Sequence, residues 1–423
     1  MLGVFDPEAS VLHPQPVPVL LYGHGFRVAL RWRRSTAIPR THMLHVRPLR
    51  SGDFIEVRSF PEIAATLDRR GELEGLPFMP EMLPYCGKRF EVWKRADKTC
   101  DEAAGGSIRR LRNVVHLKEL RCGGEAHDGC DAGCLLFWKE QWLKPVASLS
   151  RTGASAPASP IADSEYSSRE NSLTGVLGAL HRATRYSPQA SADGPQLYSC
   201  QSTEITRFSE PLRWWDLRQY VRDVRGRNVT LREFAAGIFI GVFNKTQDLH
   251  GGRTFDAVAG PNTRTPQGSS HLAPGDFVEI KSRDEIASTL DRHDKNRGLS
   301  FRPVMVPYCG KRYRVLRRVN SVIDPRSRKM ISLRENSLIL DGVICGGEAR
   351  RFCPRAVYTF WRDIWLNKVP ESQPEAQPAC AHAQRSFINR LASLAQPSLA
   401  ASIARALRVL ARKFRRETLK TST

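Results

Sequence analysis

Two stretches of this chain carry three cysteines at matching places: Cys86, Cys122 and Cys130 in the first, Cys309, Cys345 and Cys353 in the second. A cysteine thiolate is a strong ligand for zinc and iron, and it is also the nucleophilic and redox-active form of the residue. In each trio the first two cysteines are followed directly by glycine, whose conformational freedom permits a tight turn that folds a backbone amide towards the sulfur. Zinc held for structure takes four ligands. In the first stretch Cys134 leads the candidates for the fourth, with His127 and His116 behind it, whereas the second has Val357, Arg350 and Ile339 at those places. Asp101 and Asp324, or Glu125 and Glu348, occur in both and offer oxygen, although a glutamate after Cys-Gly-Gly equally reads as a hydrogen-bonding partner of the turn.

Zinc is the expected metal, with iron or an iron–sulfur cluster as the alternative. If no protein group fills the fourth position, the metal is a Lewis acid open to water or substrate, and the protein a metalloenzyme; three thiolates also suit an iron–sulfur cluster with one exposed iron. The spacing is not the paired Cys-x-x-Cys of a zinc ribbon. Two other readings therefore stay open: small cysteines buried in a core, and redox pairing. No Walker loop, dinucleotide fingerprint, His-Glu-x-x-His or Gly-x-Ser-x-Gly elbow is present.

The net charge is +22 and the pI near 10.0, which calls for an anionic partner: nucleic acid, a membrane surface or an acidic polymer. Lys88 and Arg89 beside Tyr85, repeated as Lys311 and Arg312 beside Tyr308, form a candidate anion-binding edge next to the cysteine turn, with a solvated strand end as the plainer reading. A third reading of the whole chain is an adaptor for nucleic acid or a membrane surface that holds no metal.

The elements that must position these residues repeat as well. Ser51–Val146 aligns without gaps on Pro274–Val369 at an offset of 223, with 40 of 96 positions identical. Each module opens with a strand, 54–57 and 277–280, where apolar and polar residues alternate. A capping box follows, Ser59 with Glu62 and Ser282 with Glu285, which starts a short helix. Further strands are expected at 90–94 and 114–120, and at 313–317 and 337–343. The i, i+4 spacing of Trp138 and Trp142, repeated as Trp361 and Trp365, predicts one face of a closing helix, turned to the core.

Residues 147–196 are rich in Ala, Ser and Pro and read as a flexible linker. Residues 197–247 read as a helical connecting segment: Ser209-Glu-Pro starts one helix, and Thr230 with Glu233 caps another that is apolar nearly all round. Burial between the modules is the expected fate of that second helix, with a membrane interface as the alternative. A basic amphipathic helix is expected at 384–418, and residues 1–42 read as a disordered leader or an upstream extension of the reading frame. No stretch is apolar enough to span a bilayer, and no secretory signal is evident. Ten cysteines then point to a reducing, cytoplasmic setting, peripheral membrane contact included.

The runs Phe78 to Arg89, Cys122 to Cys130 and Leu212 to Val224 resemble those of a family of uncharacterised bacterial proteins, over about residues 45 to 370. That resemblance implies a bacterial source, which sets the metalloenzyme alternative in bacterial biosynthetic metabolism, and transfers no catalytic residue. The expected fold is α+β: two homologous small, β-rich, barrel-like modules (43–146 and 274–369) with short helices, and a helical segment between them.

Overall fold

Alternation of apolar and polar residues makes Phe54–Val57 and Phe277–Ile280 the strands on which each module is built, with Ile55, Val57, Val278 and Ile280 fully buried. The structure is a computed structural model, and it describes residues 47–146, 175, 177–186, 196–252, 254–268 and 271–370. The proposed leader, most of the linker and the basic tail lie outside the described residues.

In the first module five antiparallel strands stand in the order Leu135–Lys139, Val114–Arg121, Arg89–Arg95, Phe54–Val57, Leu143–Pro145. The second module has the same order, in Tyr358–Arg362, Ser337–Ile344, Arg312–Arg318, Phe277–Ile280, Leu366–Lys368. The chain passes from one edge strand to the other through only Glu140–Trp142, or Asp363–Trp365 in the second copy. The four steps from Lys139 to Leu143 reach about 14 Å at most, whereas the outer strands of a flat five-stranded sheet would lie about 19 Å apart. Each sheet must therefore curl into a half-barrel.

The tryptophans line its inside. Trp138 and Trp142 both meet Phe78 edge-on, at 6.4 and 5.4 Å, and Trp361 and Trp365 meet Phe301 at 6.1 and 5.5 Å. The indole N–H of Trp142 donates to Thr66 Oγ1, and that of Trp365 to Thr289 Oγ1. Core packing is thus their role, but the expected closing helix is absent: Trp138 and Trp361 lie on strands, Trp142 and Trp365 in 3₁₀ turns. A strand followed by one tight turn also returns the fourth residue to the same side, so the spacing alone could not distinguish the two.

The capping boxes form, with the Ser282 amide donating to Glu285 and the Glu285 amide to Ser282 Oγ. Beyond the first module the helix expected to start at Ser209 starts instead at Arg218 and runs to Arg225. Glu210–Pro211 is an edge strand on the hairpin Lys98–Asp101/Ser107–Arg110, a place where proline's missing N–H is tolerated. Thr230 does cap the helix Leu231–His250, which stacks Phe234 on Phe352 of the second module, but the expected burial is not realised: only Gly237 and Ile240 are buried, and Leu231, Ile238 and Leu249 are exposed.

The modules meet through reciprocal contacts, as two copies related by a twofold axis would. The Cys100 amide donates to Cys353 Sγ at 3.2 Å, and the Ile323 amide, 223 residues further on, donates to Cys130 Sγ at 3.4 Å. Arg121 lies over the Tyr358 ring, while their counterparts Ile344 and Leu135 pack together. Each module's hairpin therefore lies against the other's cysteine loop.

Candidate metal centre

The loop that carries the cysteines is shaped by one glycine. Gly124 has φ +84°, and a side chain there would collide with the carbonyl of Cys130. Its own carbonyl accepts the amides of His127 and Gly129, at 2.9 and 3.0 Å. The chain thus doubles back and brings Cys130 towards Cys122, whose amide in turn donates to the Cys134 carbonyl at 2.8 Å. Gly347 repeats the device in the second module, with φ +84° and the Cys353 carbonyl as its neighbour.

In the first module the result is a cavity of about 30 Å³ lined by Cys122, His127, Cys130, Cys134, Cys200 and Arg355, among others. That is the scale of a single bound atom or water. Three of the four cysteines were expected here. Cys200 was not, because it arrives from beyond the linker, where its amide is fixed by Thr203 Oγ1. Glu81, from the turn Pro80–Tyr85, also joins: ligand atoms of Glu81, Cys122 and His127 lie within 4.8 Å of one another. Glu81 Oε1 accepts from Cys122 Sγ at 3.6 Å and the Ala126 amide at 3.2 Å, and lies 3.0 Å from His127 Nδ1. His127 Nε2 donates to the Ser199 carbonyl, 3.2 Å away.

The electrostatics of this pocket are uneven. Burial pushes the thiol of Cys122 well above the ordinary range, reinforced by the charge of Glu81, and burial lifts Cys134 to about 12. Burial also raises Glu81, but its hydrogen bond and ion pair with His127 outweigh it and bring the carboxyl below its usual value. The thiols of Cys122 and Cys134 are therefore protonated. Yet the same cavity holds a guanidinium, Arg355, which is 2% exposed. Its Nη atoms donate to the Cys100 carbonyl and to Ser202 Oγ, its Nε has no partner, and among the described residues no carboxylate bonds it. Burial disfavours its charge, but Glu102 and the sulfurs of Cys134, Cys100 and Cys353 outweigh that and hold it above its usual value.

The other expected ligands are dispersed. Cys86 and Cys309 pack against the two cores at the ends of the turns Pro80–Tyr85 and Pro303–Tyr308, and burial lifts Cys86 to about 11. His116 is fully buried on its strand, with Nδ1 on the Leu136 carbonyl and Nε2 without a partner, and it does not line the cavity. Asp101 and Asp324 cap their own hairpin loops, accepting from the Ala104 amide and from Ser327. Arg89 and Arg312 form cross-strand ion pairs with Glu56 and Glu279, both at 3.1 Å, and Tyr308 donates its hydroxyl to the Ile344 carbonyl in the core. Lys88 is exposed at the strand end, and Lys311 is half-buried.

In the second module the cysteines part company. Cys353 meets Cys100, whose thiol hydrogen bond holds Cys353 below the usual thiol range. Cys345, lifted by burial to about 12, instead lines a larger cavity of about 340 Å³ with Tyr308, Glu348, Arg350 and the helix residues Ile240 and Asn244. Searches of family models, curated proteins and solved structures gave no match to this chain.

Proposed function

We propose that this protein binds one zinc ion in its first module, where Cys122, Cys130, Cys134 and Cys200 line one cavity, and presents its positive surface to an anionic partner; no three of the four sulfurs lie within 4.8 Å of one another, so the thiolates draw together on the ion as it binds. The observation that carries this is the meeting of four cysteines, three from one loop and one from beyond the linker, around one ion-sized cavity. Arg355 stands in the same cavity as a buried guanidinium that its surroundings keep charged. Zinc bound by four thiolates has a net charge of −2, which places a counter-charge where the guanidinium already stands. Zinc also resolves the raised thiols, because the metal displaces their protons.

Glu81 then fixes the turn that follows Cys122 through the Ala126 amide and His127, a supporting role common around metal ligands. In a closed four-thiolate site zinc has no open position, so the role it supports is structural. The test is elemental analysis of the purified chain, with Cys122→Ser, Cys134→Ser and Cys200→Ser. Each should abolish zinc binding. A zinc content unchanged by all three would refute the assignment.

A further inference from the structure

The helix Arg218–Arg225 is turned inside out. Its buried residues are polar, Gln219 at 3% exposure and Asp223 at 1%, while Leu217 and Val221 face solvent at 71% and 47%. The inward orientation has specific causes. Gln219 Nε2 donates to the carbonyls of Arg213 and Asp216, and Asp223 meets the buried Lys98 ammonium at 2.5 Å. Lys98 itself lies over the rings of Tyr220 and Phe352. With the polar side chains drawn inwards, the apolar ones are left outside, and the two residues Trp214 and Trp215 join them, at 51% and 47% exposure.

The same arrangement sorts the charges. Both acids of the segment are engaged inwards, Asp216 with Arg110 and Asp223 with Lys98. Arg213, Arg218, Arg222 and Arg225 have no ion pair among the described residues, and Arg213 lies over the Trp215 ring at 5.3 Å. Of the charged residues in this segment, only arginines are left without an opposite charge beside the exposed tryptophans, leucine and valine.

We propose that this face, Trp214 to Arg225, is a membrane-contacting surface for an anionic lipid bilayer. Tryptophan is favoured at the headgroup boundary, aliphatic side chains partition below it, and arginines meet acidic headgroups. A nucleic acid fits less well. The two indoles cross edge to face at 87°, with centroids 5.7 Å apart, so they form no parallel slot for a base, and the aliphatic side chains have no part in reading one. The face deepens the anionic-partner half of the proposed function and is independent of the zinc.

The test uses the full chain in sedimentation with vesicles of phosphatidylcholine and phosphatidylserine, compared with phosphatidylcholine alone. Binding should require the anionic lipid and weaken with salt. The variant Trp214→Ser/Leu217→Ser/Val221→Ser should bind on the order of tenfold more weakly, and Arg218→Gln/Arg225→Gln likewise. All five side chains are at the surface, so the melting temperature should hold. In Trp214→Phe/Trp215→Phe, quenching of tryptophan fluorescence by brominated lipid should disappear. Vesicle binding that survives these substitutions would keep the anionic partner and overturn this surface. Loss of binding to RNA or to a protein, with no vesicle binding in the parent chain, would overturn it as well.

Discussion

The two modules share a strand order, a pair of buried tryptophans and a glycine turn, yet they use the cysteine loop differently. In the first, the loop closes around an ion-sized cavity with Cys134, Cys200, His127 and Glu81 near Cys122. In the second, Val357, Arg350 and Val304 stand where Cys134, His127 and Glu81 would be, and a cavity of about 340 Å³ lies beside Cys345. The glycine turn, with Gly124 and Gly347 both at φ +84°, is therefore a feature of the shared scaffold. The donor set is what distinguishes one copy from the other.

The comparison can be broken most severely at the donors. Cys134→Ser should lower the melting temperature by roughly 10 °C or more, since metal binding free energy is folding free energy. Cys345→Ser, at the matching turn of the second copy, should shift it by no more than about 3 °C. Equal losses would show that both cysteines serve only packing. Calorimetry of the two variants decides it.

A second asymmetry is the buried pair Lys98–Asp223, for which the second module has Ser321 in place of the lysine. Burial raises the Asp223 carboxyl and lowers the Lys98 ammonium, so each depends on the other for its charge. Asp223→Ala, which strands Lys98, should destabilise by about 3 to 5 kcal/mol in denaturant unfolding. Replacing both residues with apolar ones should recover most of the loss. If the single substitution is silent, the helix Arg218–Arg225 is not anchored as described.

A third is acid sensitivity. Burial holds His116 at about 3, against an unfolded value near 6.5. Between those values the unfolded chain takes up a proton that the folded chain refuses, so stability falls as pH falls from about 6.5 towards 3, by up to about 4 kcal/mol. The second module has Ile339 at this place. His116→Ile should flatten the loss, visible as a melting temperature that depends less on pH between 6.5 and 4. The smallest difference should come from Glu56→Gln and Glu279→Gln. These exposed cross-strand pairs are equivalent in the two copies, and each should contribute no more than about 1 kcal/mol.

Much of the fold was legible because it is local. Alternation marked the strands, Ser with Glu three residues later marked the helix starts, and the 223-residue offset located every counterpart. The site was legible only in part. Cys122, Cys130 and Cys134 lie on one loop, and their spacing announced them, whereas Cys200 and Arg355 come from segments 66 and 221 residues beyond Cys134. Pairing across such distances leaves no periodic trace. One signal was present in the internal alignment: Glu81 faces Val304 between the shared Pro80/Pro303 and Met82/Met305. A charge in one copy where the other is apolar marks a specialised position, and His127 and Cys134 differ in the same sense. The closing tryptophans misled because a four-residue spacing serves a strand and turn as well as a helix.

The first module alone should hold a closed zinc site. Metal counting by mass spectrometry on protein purified without chelators tests it most directly. One zinc per chain, lost in Cys134→Ser and in Cys200→Ser and retained in Cys345→Ser and Cys353→Ser, is the expected result. Two zinc ions per chain, or none in the unmodified protein, would contradict it.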